Sequence, residues 1–337
     1  MTAADPTIAE TPADARQQSP APAAMSRWAL PPGSTAALVN HSENQTWRID
    51  GPDGHPVAGL RLHRPGYHSE AAIRSELAWT AALARDAGLR TPRALPARDG
   101  DLVQSLPGED GGPARHAVLF RWLPGSEPEE DGDLSRVFET LGGLSARMHA
   151  HARGWRRPDG FVRQTWDHGS MLGGDGIWGR WQDGPGLDAP GLRLLSRAAD
   201  NIGQALRSFG RAADRFGLVH ADIRLANLLV GDDEVCVIDF DDCGFGWFLY
   251  DCATALSFIE HRPGAPALVE SWLAGYRREA EPPVGAAAMI PSFVMLRRML
   301  LVAWIGSRAE TGLAREMGPD FSRGTCDLAE AYLSAAG

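Results

Sequence analysis

The sequence predicts an α+β protein of two lobes, a small β-rich one followed by a larger, mainly helical one. Three observations predict it. Short apolar runs broken by turn signals come early in the 337 residues, and long helical runs come late. An acidic, polar run, GSEPEEDGD at 125–133, separates the two patterns as a linker. Within the helical part, GLVHADIRLANLLVGDDEVCVIDFDDCGFGWFLYD at Gly217–Asp251 places a hairpin pattern between two groups of acids.

Residues 1–25 are rich in Ala, Pro, Thr and Gln with few large apolar side chains, so they read as a disordered leader. Residues 26–122 read as the small lobe. A polar turn and strand run through HSENQTWRID (41–50), and a second strand is VAGLRLH (57–63) after the turn PDGH. A helix follows at 69–87, its identity resting on propensity, with Gly88 as its C-cap. AVLFRW (117–122) is a buried strand stopped by Leu123-Pro124-Gly125.

Residues 123–337 read as the helical lobe. Leu134, Val137, Phe138, Leu141, Leu144 and Met148 repeat at helical spacing over 134–153. His149 and His151 on that helix are two apart and lack metal-ligand spacing. The stretch 154–186 carries Trp155, Trp166, Trp178 and Trp181 and reads equally as a substrate wall or as aromatics pinning a loop to the core. Helices are expected at 192–216, 252–260, 266–280, 286–310 and 321–335. Arg277, Arg297 and Arg298 in the last part are expected to be solvated at the surface rather than to bind an anionic substrate group.

Composition narrows the class. Hydrophobic residues make up 44% and charged residues 23%, as in soluble globular proteins. A net charge of −10 argues against general nucleic-acid binding. Four cysteines without metal spacing read as buried, reduced thiols. No apolar run approaches the ~18 residues of a membrane span. No secretory signal is evident, so a cytoplasmic protein is expected.

The chemistry concentrates in 217–251. Leu228–Val230 and Val235–Ile238 read as a hairpin around Gly231–Glu234. If Val230 pairs near Val235, Asn227 and Asp239 arrive together at its open end. An amide oxygen and a carboxylate there make a hard-oxygen site suited to magnesium that also holds phosphates. Asp222, five residues before Asn227, faces the same space as a base for a hydroxyl.

The pattern His220-Ala221-Asp222, Asn227 and Asp239-Phe240-Asp241 is similar to a protein-kinase catalytic loop and its metal aspartate. Aspartate after Phe240, the absence of an APE segment and the helical C-terminal part set it apart from ordinary protein kinases. The chain resembles the aminoglycoside phosphotransferase/choline kinase-like family, which has a protein-kinase-like bilobal fold. Within it, the nearest branch is that of stress-response and homoserine-kinase-like enzymes.

The resemblance implies that Asp222 accepts or orients the acceptor hydroxyl and that Asn227 and Asp239 hold Mg2+. It implies that His220 and Asp251 support the loop, and that Asp241, Asp242 and Arg224 assist metal or substrate. For the nucleotide it implies Arg61, where the family has lysine, paired with Glu76. It further implies the turn Ser42, Asn44 and Thr46 near the phosphates, and Leu119, Phe120, Arg121 and Trp122 as the hinge at the purine edge.

The expected reaction transfers the γ-phosphoryl group of ATP, with GTP not excluded. The acceptor is a hydroxyl on a small molecule: an aminoglycoside or other antibiotic, an amino alcohol, a homoserine-like amino acid or a sugar. Two other readings stand beside it, a stress-response-type protein Ser/Thr kinase and a catalytically weak nucleotide-binding regulator.

Overall fold

The computed structural model describes residues 20–41, 44–108, 112–231, 234–309 and 311–336. The chain divides into two units, residues 1–70 with 93–122, and residues 71–92 with 123–337. Most of the leader, and Ser42 of the phosphate turn, lie outside the described residues.

The first unit is built on a five-stranded antiparallel sheet. Its strands are β1 (Thr35–His41), β2 (Gln45–Asp50), β3 (Pro56–Leu62), β4 (Gln104–Leu106) and β5 (Arg115–Arg121), in the order β1-β2-β3-β5-β4. Alternation along β3 sends Ala58, Leu60 and Leu62 into a core with Ile49, Ala117 and Leu119. Helix α1 (Ala21–Met25) packs its Ala21 and Ala24 into the same core. These residues fall inside the stretch read as a leader. Small side chains were sufficient here, because an alanine face can sit directly against a sheet and Trp28 fills the space beside it. The indole Nε1 of Trp28 donates to Leu95 O at 3.0 Å. Residues 93–95 run along β5, with Leu95 N donating to Leu119 O and Arg121 N to Arg93 O.

From Ala71 on, the second unit contains α2 (Glu70–Asp86), which buries Ile73, Leu77, Trp79 and Leu83. Helix α3 (Ser135–Gly154) follows, then α4 (His168–Leu172) and α5 (Ala189–Phe209). The helix expected to reach 216 ends earlier. Gly210 takes a φ of 75°, reached without Cβ strain, and its N–H caps Leu206 O. Phe216–Val219 is instead strand β6, paired with β9 (Gly244–Trp247) in a two-stranded ribbon. No strand is anticipated from the sequence GFGW of β9. Gly244 and Gly246 are accommodated because Trp166 and its neighbours pack against that backbone.

Between β6 and β9 lies the hairpin of β7 (Leu228–Val230) and β8 (Val235–Val237). Ser126, expected as part of a free linker, pairs with Val230, and Arg262 binds Glu130 and Asp131 farther along the acidic run.

Helices α6 (Tyr250–Ala255), α7 (Ala265–Glu279), α8 (Ala286–Ser307) and α9 (Gly312–Ala336) complete the unit, α9 bending at Gly318. Helix α8 is long and apolar enough to cross a membrane by length and composition, contrary to the sequence reading. It is mostly buried, and its arginines Arg297 and Arg298 are 2% and 5% exposed. Only Arg277 of the three expected surface arginines is exposed. Helices α3 and α7 cross at Gly142 and Gly275, where an added Cβ on either would overlap a carbonyl of the other helix. All four cysteines are free thiols, three of them buried and Cys326 half-buried.

Candidate active site

The β7–β8 hairpin has the register that the sequence anticipates, with Leu228 opposite Val237, Leu229 opposite Cys236 and Val230 opposite Val235. Ile238 N donates to Asn227 O at 2.9 Å, so Asn227 sits across from the residue preceding Asp239. A single 3₁₀ turn, Leu225–Asn227, carries the chain from Asp222 into β7.

Asn227 is oriented by chemistry as well as by backbone. Its Nδ2 donates to Asp222 O at 2.9 Å and to Asp222 Oδ2 at 2.8 Å. Both partners are acceptors, so the amide nitrogen must face Asp222 and Oδ1 must face away, presented as an oxygen donor. One amide oxygen and the Asp239 carboxylate suit Mg2+, which takes few protein ligands and completes its octahedron with phosphate oxygens and water.

Among the described residues, three that are not glycine adopt positive φ: Ala221 (70°), Asp239 (62°) and Phe258 (74°). Left-handed backbone costs a side-chain-bearing residue about 1–2 kcal/mol. Ala221 adjoins Asp222 and Asp239 is itself a candidate site residue, so the surrounding hydrogen bonds must hold this strain.

Asp251 restrains the first of these positions, Ala221. His220 N donates to its Oδ2 at 3.1 Å and Ala221 N to its Oδ1 at 2.8 Å. One turn on, Thr254 Oγ1 accepts from Ile223 N at 3.0 Å. Three residues later, Ser257 Oγ accepts from Arg297 Nε at 2.9 Å. The His220 ring accepts from Asp222 N at Nδ1 (3.2 Å), which leaves Nε2 to donate to Ile238 O (3.1 Å). The loop and the far strand of the hairpin are thereby tied through one imidazole.

Sequence reasoning missed two residues here. His149 on α3, wholly buried, meets Asp251 Oδ2 through Nε2 at 3.0 Å and Tyr276 OH through Nδ1 at 3.2 Å. It stacks on Phe248 at 4.5 Å. The available signal was its place on the buried stripe of α3 with Leu141, Ser145 and Met148. The second is Arg297, whose Nη2 donates to Asp222 Oδ1 and whose guanidinium lies 5.1 Å from the Trp178 ring. The signal was an arginine pair inside an otherwise apolar helix, since a buried charge requires a partner.

Asp222 is thus surrounded by donors. Arg224 Nε lies 3.4 Å from its Oδ2. Burial alone presses its carboxyl upward, but the positive charge of Arg297, then of Arg224, outweighs this and holds it below the ordinary carboxylate value. Burial likewise works against the Arg297 cation, and Tyr250 and Asp222 beside it reverse the effect and raise it.

Asp241 and Asp242 are buried on the 3₁₀ turn Phe240–Asp242. Arg163 holds the carbonyl of Asp241 and that of Cys243, and Trp166 Nε1 donates to Asp242 O at 2.7 Å. Residues 163–166 run beside β9, and Trp166, Trp178 and Trp181 are buried, so aromatic pinning describes this stretch.

In the first unit, cross-strand register puts Thr46, Arg61 and Phe120 on one face of the sheet. Arg61 is buried over the Phe120 ring at 5.0 Å. Asn44 Oδ1 accepts from Arg64 N at 3.1 Å and shapes the strand entry. Leu119 points to the core, and its carbonyl and the Arg121 N–H are taken by residues 95 and 93. Trp122 alone of the four hinge positions lies past the strand. Glu76 is buried on α2, in the second unit.

Residues 35–287 match the model of the phosphotransferase enzyme family, more than half of the chain. The chain belongs to that family. A curated member, the amicoumacin kinase of Bacillus subtilis (strain 168), is 27% identical over 252 residues, 72% of this chain and 71% of that one. Among solved members, a microcompartment-associated aminopropanol kinase is 44% identical, with a TM-score of 0.86 over 94% of this chain and 97% of its own. An amicoumacin kinase in complex with AMP-PNP, Ca2+ and Ami shares the fold at 23% identity, with a TM-score of 0.74 over 91% and 92% of the two chains. The chain is therefore a small-molecule kinase with the mixed α+β, protein-kinase-like fold expected of this family.

Proposed function

We propose that this protein transfers the γ-phosphoryl group of ATP, with Mg2+, to the hydroxyl of a short amino alcohol, aminopropanol being the first acceptor to try. The observation that carries the reaction is the Asp222–Asn227 contact at the mouth of the β7–β8 hairpin, beside Asp239. The observation that favours the acceptor is 44% identity to an aminopropanol kinase across nearly the whole of both chains. The bound AMP-PNP of the amicoumacin kinase supports ATP as donor.

In this reading Asp222 accepts the hydroxyl's hydrogen bond, aims its oxygen at the phosphorus and takes up the proton as transfer completes. Asn227 Oδ1 and the Asp239 carboxylate hold Mg2+, which when bound neutralises charge on the nucleotide phosphates. Arg61, with Thr46 beside it, gives the first unit a permanent cation for phosphate oxygens. His220 and Asp251 keep Asp222 in place. Buried Trp178 lies against the Arg297 guanidinium, which supports a small acceptor over a multi-ring antibiotic. The intact Asp222, Asn227 and Asp239 weigh against a regulator without turnover. The four free thiols fit a reducing, cytoplasmic setting.

Purified protein with MgATP and a panel of amino alcohols, homoserine, sugars and aminoglycosides tests the acceptor. Phosphorylation of aminopropanol at the highest kcat/KM is expected. Preference for any other class would replace this acceptor. In the same assay Asp222→Ala should lose about 10²–10⁴-fold in kcat while binding MgADP normally. Near-normal turnover would remove Asp222 from the mechanism.

A further inference from the structure

We propose that Arg297 is a positioning residue for Asp222, fixing the plane of its carboxylate so that the acceptor hydroxyl is received from one direction. This rests on the role given to Asp222 above, and deepens it.

A carboxylate offers about four lone-pair positions. On Asp222, Arg297 Nη2 takes one on Oδ1, and Asn227 Nδ2 takes one on Oδ2 with Arg224 Nε also approaching that oxygen. Donors on both oxygens stop rotation about the last side-chain torsion, which is otherwise soft for Asp. The hydroxyl is left the remaining position on Oδ1, beside the guanidinium.

Arg297 is itself held in place. Its Nε donates to Ser257 Oγ at 2.9 Å, and its face meets Trp178. Ser257 belongs to the same short segment as Asp251 and Thr254, at three-residue spacing, and those two hold the loop's N–H groups. Backbone and side chain of the loop are therefore referenced to one element. The neighbouring Arg298 takes a separate partner, Glu260, and Thr325 Oγ1 at 2.8 Å. It has no contact with Asp222, so it isolates the local effect from that of charge burial in α8.

Arg297→Gln, Arg297→Lys, Ser257→Ala and Arg298→Gln test this, each compared with wild type for kcat and KM on the best acceptor and for MgADP affinity. A misplacement near 1 Å costs about a hundredfold in rate. Arg297→Gln should fall by about that factor in kcat, with acceptor KM and MgADP affinity within about threefold, and Arg297→Lys should recover part of the loss. Ser257→Ala should lose a few-fold in kcat. Arg298→Gln should lose stability and keep its kcat.

Guanidinium at low millimolar concentration should restore part of the rate of Arg297→Ala. Should Arg297→Gln fail to fold, Ser257→Ala and the guanidinium rescue still decide the question. Unchanged kcat in Arg297→Gln, a loss confined to KM, or an equal loss of kcat in Arg298→Gln would overturn the proposal. Full activity of Asp222→Ala would overturn the reading beneath it, whereas an inactive Asp222→Ala beside an active Arg297→Gln would overturn only this inference.

Discussion

Arg297 donates from Nη2 to the Oδ1 of Asp222, 75 positions earlier in the chain. That hydrogen bond joins the 220–227 loop to α8, the most apolar helix of the second unit. On the role proposed for Asp222, removing the arginine should change kcat more than MgADP affinity.

Asp239 sits at φ 62°, a conformation that Asn tolerates at least as well as Asp. Asp239→Asn should therefore fold like wild type while losing at least tenfold in affinity for MgADP and little for ADP alone. Calorimetric titration with and without Mg2+ would show this. Equal affinity for MgADP in the variant would exclude Asp239 as a metal ligand.

His149→Phe keeps the ring stack on Phe248 and deletes the hydrogen bond to Asp251. An acceptor deprived of a buried partner costs about 1–3 kcal/mol. Denaturant midpoints should fall accordingly, and kcat should fall with them because Asp251 also holds the N–H groups of His220 and Ala221. Wild-type stability in this variant would mean that the His149–Asp251 contact contributes nothing.

At the crossing of α3 and α7, two adjacent glycines make opposite demands. Gly275→Ala drives a methyl into the Glu139 carbonyl, and overpacking of that kind costs about 1–3 kcal/mol. A Cβ on Gly143 would meet only ordinary contacts, the nearest at 3.6 Å. Gly143→Ala should therefore be neutral or gain up to about 1 kcal/mol from helix propensity. Equal losses in the two variants would contradict the close approach.

Burial pushes the phenols of Tyr250 and Tyr276 from 10.0 up to about 12. Between those values the folded chain binds more protons than the unfolded one. Their contribution to stability is thus full below pH 10 and is lost as pH climbs toward 12. Absorbance at 295 nm should show a large phenolate step on unfolding at pH 11. Titration of all four tyrosines near 10 in the folded protein would refute this.

The hairpin at 228–237 was legible because β-branched and apolar runs flank a short polar turn, and strand period alone fixes which residues meet at its mouth. Helices α2, α3, α7 and α8 were legible for a similar local reason. Strand β9 was not, since GFGW has turn chemistry and becomes a strand only through pairing with β6. Arg297 was misjudged, and His149 was given no role, because a charged or polar side chain on a helix shows its partner only once a distant segment folds against it. Residues 21–25 mislead in another way, as alanines carry little hydrophobic signal yet fit closely against a sheet.

The segment from Asp251 to Ser257 meets the loop at Asp251 and Thr254, and Arg297 at Ser257, every third residue. Helix α6 turns about 100° per residue and runs from Asp251 through Thr254 before the turn that holds Ser257, so one added or deleted position between the first and last would swing the following contacts away together. Substitutions there would remove bonds one at a time, but a change of length would remove them collectively. Across homologous chains, this predicts that the segment's spacing is kept more strictly than the identity of the residues lying between its contacts.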